Sequence, residues 1–406
     1  MKNVDVIMCE TLSSGIGPVQ TIKRLIRSKD ILRQNGYEIE VFTKDNMSDP
    51  LAVQVKKKYK TRPFMKALRN FVRFLAKHSY QYGKFRLELG FKQGHRLVEF
   101  YNALGRTPDI IVFHSIFDCY EYHRHFEIPG VKTVLFTHSD GYVFEMAQMG
   151  FPQTIGTKYE KELKAREQFV MERITMNACI AKVEEKNLLA QFPVLKGKTS
   201  LVVNGIDDLK EKEKEEVLSM RKTVRIPKYR MICVGGVNGR KGQWMVIEAL
   251  GKLDKTKRKD VSFTVIGDGQ QKSYLEKRVQ ELGLTDIVKF AGHIPNDKVY
   301  TYLAKANIFV LMSALEGLPI ALLEAMRCGL ALIATNVSGI PELIEGKKNG
   351  LLLNNDLKEL TEALNDLELY DWDQMGAASR TKFEKEYTFE RMRRDYISML
   401  NKVSEQ

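Results

Sequence analysis

The 406-residue sequence contains no CxxC pair, and its five cysteines (Cys9, Cys119, Cys179, Cys233 and Cys328) are odd in number and scattered singly. That spacing argues against a disulfide framework and a zinc site, and Cys9, Cys179 and Cys233 lie in or beside apolar runs, where a free thiol behaves as a small core residue. No segment reaches eighteen apolar residues, and the opening MKNVDVIMCE carries too short an apolar run for a secretory leader or a membrane span. A cytoplasmic protein is expected. Zinc-finger, helix-turn-helix and RNA-binding signatures are missing too, so no nucleic-acid partner is expected.

What is present is a soluble composition, 44% hydrophobic and 28% charged, with a net charge of +13. The excess is local. Between Lys56 and Arg96 there are thirteen Lys or Arg against one acid, Glu88. Over 64–77 the apolar residues Phe64, Leu68, Phe71, Val72 and Leu75 share a helical stripe, while Lys66, Arg69, Arg73 and Lys77 fall mostly elsewhere. With Phe74, Tyr80, Tyr82 and Phe85 interleaved among the cations, residues 56–96 suit an anionic membrane surface, which would place the protein peripherally on the inner face of the membrane. A basic solvated face with the aromatics in the core, or an anionic partner, also fits this composition.

The length favours two domains with a cleft between them. Apolar runs at 4–8, 39–43, 110–113, 134–137, 179–181 and 201–203 alternate with helix-length stretches, which predicts a doubly wound α/β domain over residues 1–207. The run DDLKEKEKEEVLSMRK shows little apolar periodicity and suggests a solvated linker over 208–228. Alternation resumes at 231–236, 263–267, 288–292, 308–312 and 331–335, predicting a second such domain over 229–380. A C-terminal helix, 381–406, is expected to pack back on the first domain.

The chemistry concentrates in two strand-to-helix turns. In Glu316-Gly317-Leu318-Pro319-Ile320-Ala321-Leu322-Leu323-Glu324, Gly317 permits a tight turn and Pro319 can open a helix. The free N–H groups of that first turn, with the helix dipole, form a site for a diphosphate. Glu316 and Glu324 add carboxylates able to accept from sugar hydroxyls. In Val234-Gly235-Gly236-Val237-Asn238-Gly239-Arg240-Lys241-Gly242, the glycines allow close approach of phosphate to backbone, and Arg240 or Lys241 can neutralise a leaving group. Asp371-Trp372-Asp373 has the form of a DxD metal motif but falls in a helical tail with no strand before it. No metal is expected.

Taken in order, the Lys-Gly loop, Gly267-Asp268-Gly269 and the Glu-x7-Glu pair make residues 231–353 resemble the retaining glycosyltransferases of CAZy family 4, which have the GT-B fold, two Rossmann-like domains facing across a cleft. The resemblance implies transfer of a sugar, with retention, from a UDP- or GDP-sugar to a saccharide or lipid-linked acceptor in surface polysaccharide or glycolipid synthesis, without a cofactor. It implies that Glu316 contacts the donor sugar, Glu324 the ribose and Lys241 the diphosphate, with Gly236, Gly317, Leu318, Pro319, Ile320, Gly267, Asp268 and Ala291 lining the nucleotide. It also implies a donor-facing role for His138, after a strand, and a phosphate-side role for Gly17 in the Ser13–Pro18 loop. His114, closing another strand, is a further cleft candidate. The sequence departs from the family at Gly236, where Arg is usual, which leaves Arg240 to supply the second cation. A nucleotide-sugar epimerase of related fold and a non-catalytic module that stabilises a partner transferase remain open alternatives.

Overall fold

The computed structural model describes residues 1–14, 17–47, 79–223 and 226–406. The basic helix expected over 64–77, and the larger part of the 56–96 segment, lie outside them. The chain divides into two compact units, Met1–Val202 with Asp395–Gln406, and Val203–Arg394.

The first unit is a six-stranded sheet in the order β2-β1-β3-β4-β5-β6. Its strands are β1 Lys2–Met8, β2 Tyr37–Thr43, β3 Ile110–Phe113, β4 Lys132–Phe136, β5 Met176–Cys179 and β6 Thr199–Leu201, all paired parallel. Every residue of β3 and β5 is buried, as expected for parallel strands covered by helices on both faces. β5 begins three residues before the apolar run at 179–181, because polar Asn177 belongs inside the sheet. Its amide donates to Thr137 Oγ1 at 3.0 Å and lies 3.3 Å from Cys179 Sγ. The last residues of the chain close against the sheet edge: Tyr37 Oη donates to Asn401 Oδ1 at 2.6 Å, and Lys2 Nζ to the Ser404 carbonyl at 3.2 Å.

The second unit is also six-stranded and parallel, ordered β12-β11-β10-β7-β8-β9. Its strands are β7 Tyr229–Val234, β8 Val261–Ile266, β9 Val288–Gly292, β10 Ile308–Leu311, β11 Ala331–Thr335 and β12 Gly350–Leu353. Chain order reverses between β7 and β10. In a doubly wound sheet, that switch point opens a crevice at the carboxyl ends of the strands, where ligands bind.

Two expectations need correcting. The charged run is no solvated connector: Glu211–Thr223 is a helix of the second unit, with Val217 buried and Glu216 accepting from Tyr300 Oη at 2.7 Å. A single buried face, too sparse to register as periodicity, anchors it. The boundary between units accordingly falls at 202/203 rather than 207/208. Gly350 opens strand β12, where a Cβ would lie 2.2 Å from the Leu332 carbonyl of β11.

Candidate donor site

Both signature turns leave the sheet at the switch point, one after β7 and one after β10. Backbone contacts lock the Gly-rich turn in place. Gly242 has φ 68°, and a Cβ there would lie 1.9 Å from the Met312 carbonyl at the end of β10. Glycine alone lets the two turns touch. The Asn238 side chain accepts from the Arg240 and Lys241 amides at 3.1 and 3.2 Å, and the Ala314 amide donates to the Arg240 carbonyl at 2.8 Å.

This arrangement points both cations at one carboxylate. Lys241 Nζ donates to Glu316 Oε1 at 2.6 Å, and an Arg240 guanidinium nitrogen lies 3.3 Å from Glu316 Oε2. Arg240 also donates to the Leu315 carbonyl at 2.7 Å, and Ser313 Oγ donates to Glu316 Oε1 at 2.7 Å. The Glu316 side chain is only 7% exposed and that of Lys241 13%. Partial burial makes their attraction stronger than a surface pair's, and makes either charge costly to leave alone.

Around this ion pair, the turn after β8 stacks on the Gly-rich turn backbone to backbone. Val237 N donates to the Asp268 carbonyl at 3.0 Å, and a Cβ on Gly267, at φ 132°, would lie 2.0 Å from the Gly235 carbonyl. The Asp268 carboxylate is exposed and accepts from the Gly269 amide at 2.8 Å. Ala291, at the end of β9, is half-buried, and the neighbouring Gly292 carbonyl accepts from Gly267 N at 2.8 Å. Gly236 is exposed at the rim; a Cβ there would meet nothing closer than Asn238 Nδ2 at 3.2 Å.

The helix after β10 spans Ile320–Arg327, with Pro319 at the capping position rather than inside it. No side chain caps that end. The turn Gly317-Leu318 is held from two sides: Gly339 N donates to the Gly317 carbonyl at 3.0 Å, and Asn204 Nδ2 to the Leu318 carbonyl at 3.1 Å. Glu324 is half-buried in the helix, one and a half turns further on. Ser338 Oγ accepts from Glu316 N at 3.2 Å, and Ser313 was not singled out from the sequence. Only the position of Ser313, three residues before Glu316 and just after a strand, signalled such a role.

His138 and Gly17 belong to the first unit. Gly17 opens the helix Gly17–Arg27 after β1. His138 and His114 follow adjacent strands, with His138 Nε2 and His114 Nδ1 3.0 Å apart, and both rings stack on Phe136. Burial pushes the His138 imidazole down to about 3, and burial together with His138 holds His114 well below the usual range. Both are neutral at physiological pH, so one facing nitrogen donates and the other accepts.

Residues 216–375 match the sequence model of the family described as Glycosyl transferases group 1. The chain carries a group 1 glycosyltransferase domain. Among curated proteins, it is 33% identical over 179 residues to the amylovoran biosynthesis glycosyltransferase AmsK of Erwinia amylovora, covering 42% of this chain and 44% of that one. It is 30% identical over 145 residues to a GDP-mannose-dependent alpha-(1-6)-phosphatidylinositol monomannoside mannosyltransferase of Mycolicibacterium smegmatis, covering 34% and 38%. The chain thus spans less than half the length of these relatives. Across its whole length it superposes on the crystal structure of Anabaena Alr3699/HepE in complex with UDP and glucose, with TM-score 0.65, 14% identity and coverage of 99% and 100%. At that identity the likeness establishes the fold, GT-B, with its two Rossmann-like units.

Proposed function

We propose that this chain transfers a sugar, with retention of anomeric configuration, from a UDP- or GDP-sugar to a saccharide or lipid-linked acceptor in polysaccharide or glycolipid synthesis. The observation that carries the reading is the Lys241–Glu316 contact of 2.6 Å at the sheet's switch point. It joins a cation able to neutralise phosphate to a carboxylate able to orient sugar hydroxyls.

On this reading, Lys241, Arg240 and the amides of the 318–320 turn hold the diphosphate and stabilise the charge that develops as the sugar–phosphate bond breaks. Glu316 accepts from the donor sugar and Glu324 from the ribose. The acceptor hydroxyl attacks on the leaving-group face, and the departing phosphate oxygen takes its proton, so no carboxylate serves as general base. Arg240 supplies the charge that Gly236 lacks. With two cations in place, donor binding needs no metal and should be unchanged by added Mg2+. For His138 the proposal keeps the role of donor to the sugar or its phosphate, which His138→Ala tests.

The relatives' printed roles, in amylovoran biosynthesis and on phosphatidylinositol monomannoside, support a polysaccharide or lipid-linked acceptor. Among the described residues no helix is long and apolar enough to cross a membrane. Peripheral attachment to the cytoplasmic face through residues 56–96 is therefore part of the proposal. In the described part of that segment, Tyr82 packs on Phe151, while Phe85 is 60% exposed, with exposed Arg86, Lys92 and Arg96 on the same helix.

The test is incubation with a panel of UDP-, GDP- and ADP-sugars, with and without polyprenyl-linked or oligosaccharide acceptors, followed by mass spectrometry. The proposal expects a glycosylated acceptor with at least one donor, and at least tenfold less in Glu316→Ala. Product from the donor alone would indicate an epimerase, and no product from any donor would count for a non-catalytic module.

A further inference from the structure

In the first unit, two helices carry a group of side chains that the donor chemistry does not use. Helix Tyr80–Ala103 presents His95, and helix Ile116–His125 presents Glu121 and His125 one turn apart. His95 Nδ1 lies 2.9 Å from Glu121 Oε2, and His125 Nε2 lies 3.5 Å from the same oxygen. All three donor atoms fall within 4.8 Å of one another, and among the described residues no other three His, Cys, Asp or Glu do so.

We propose that His95, Glu121 and His125 bind a divalent transition-metal ion of the zinc type, which clips these two helices together. Bonds of about 2.0–2.2 Å at tetrahedral angles place neighbouring ligand atoms about 3.4 Å apart. The observed 2.9 and 3.5 Å bracket that value, so small side-chain rotations suffice to admit an ion. Two imidazoles and one carboxylate favour zinc-like ions over calcium or magnesium, which take oxygen ligands. The Glu121 side chain is 10% exposed and its charge is met by these two imidazoles, whereas His95 and His125 are 37% and 40% exposed, so an ion can reach them from solvent.

The supports are rigid, which preorganises the ligand set. Just before His95 the helices touch through glycine: a Cβ on Gly94 would lie 2.9 Å from Asp118 Oδ1, and one on Gly90 3.0 Å from the Phe117 ring. The aromatic pairs Phe91–Phe117 and Phe91–Tyr120, at 4.8 and 5.2 Å, fix the same crossing. Without an ion, His95 Nδ1 and Glu121 Oε2 form a hydrogen bond of 2.9 Å, and the His125 ring lies beside the same oxygen.

The experiment titrates the full-length chain, freed of tags and stripped with chelator, with ZnCl2 by calorimetry at pH 7.5, and with CoCl2 by visible absorption. The proposal expects one zinc per chain, a tetrahedral cobalt spectrum, and a melting temperature raised by roughly 5 °C at a hundredfold excess over Kd. His95→Ala, His125→Ala and Glu121→Gln should each weaken zinc binding at least about tenfold while circular dichroism stays native. Failure of the wild-type chain to take up zinc, or uptake undiminished in all three variants, would overturn it.

Discussion

Replacing Lys241 by Met keeps most of the side chain's bulk and removes its charge, leaving Glu316 buried with Arg240 at 3.3 Å and Ser313 at 2.7 Å. Removing one partner of a buried ion pair costs about 3–5 kcal/mol when nothing else compensates. With two partners retained, we expect about 2 kcal/mol. Glu316→Gln should cost a similar amount, because it leaves Lys241 largely buried, with an amide oxygen in place of a carboxylate. The double variant should cost less than the sum, with a coupling energy of about 2 kcal/mol, as for residues in direct contact. Both tryptophans, Trp244 and Trp372, lie in the second unit and pack in one core cluster. Urea unfolding followed by tryptophan fluorescence therefore reads this unit alone. Additivity within about 0.5 kcal/mol would refute the argument that the two side chains form one electrostatic unit.

Other consequences follow from the same structure. Gly242→Ala and Gly267→Ala should each destabilise the second unit by at least about 3 kcal/mol in the same urea assay, since a Cβ would collide with backbone at positive φ, whereas Gly236→Ala should be nearly neutral. In the first unit, Glu184 is fully buried and its pKa is pushed up from 4.5 to about 8, mainly by burial, with Asp140 adding to the rise and the Thr137 hydroxyl and the Ile180 and Ser139 amides opposing it. The folded state thus binds the proton more tightly, and the unit should lose stability, on the order of a few kcal/mol, as pH rises from about 4.5 through 8. Asp118 and Glu167, each raised to about 7, act in the same direction. Glu184→Gln should flatten that slope and raise the calorimetric melting temperature at pH 8; an unchanged slope would contradict the assignment. Exchanging Lys66, Arg69 and Arg73 for Glu should release the protein from phosphatidylserine vesicles in sedimentation, and undiminished binding would count against docking through this segment.

Strands that are apolar throughout or nearly so were legible directly: IIVF at 110–113 and ALIAT at 331–335 match β3 and β11 in the structure. Misreadings arose where tertiary contacts override local pattern. Asn177 is polar yet inside β5 because Thr137 accepts its amide hydrogen, and Glu211–Thr223 is a packed helix held by few apolar residues. The two signature turns were recognisable from glycine spacing. That Lys241 meets Glu316, 75 positions away, follows only once β7 and β10 are known to be neighbours. The same limit hid the His114–His138 pair, which depends on β3 pairing with β4, and the His95–Glu121–His125 group, which depends on a helix crossing.

The central claim, that the Lys241 turn grips a nucleotide diphosphate, is tested most directly by calorimetric titration of UDP and GDP into the wild-type chain and Lys241→Met. The account predicts that one of the two binds the wild type with a clear heat, and that its affinity falls at least about tenfold in the variant, the cost of losing one charged contact to phosphate. Equal affinity in the two proteins, or no binding of either nucleotide to the wild type, would contradict it.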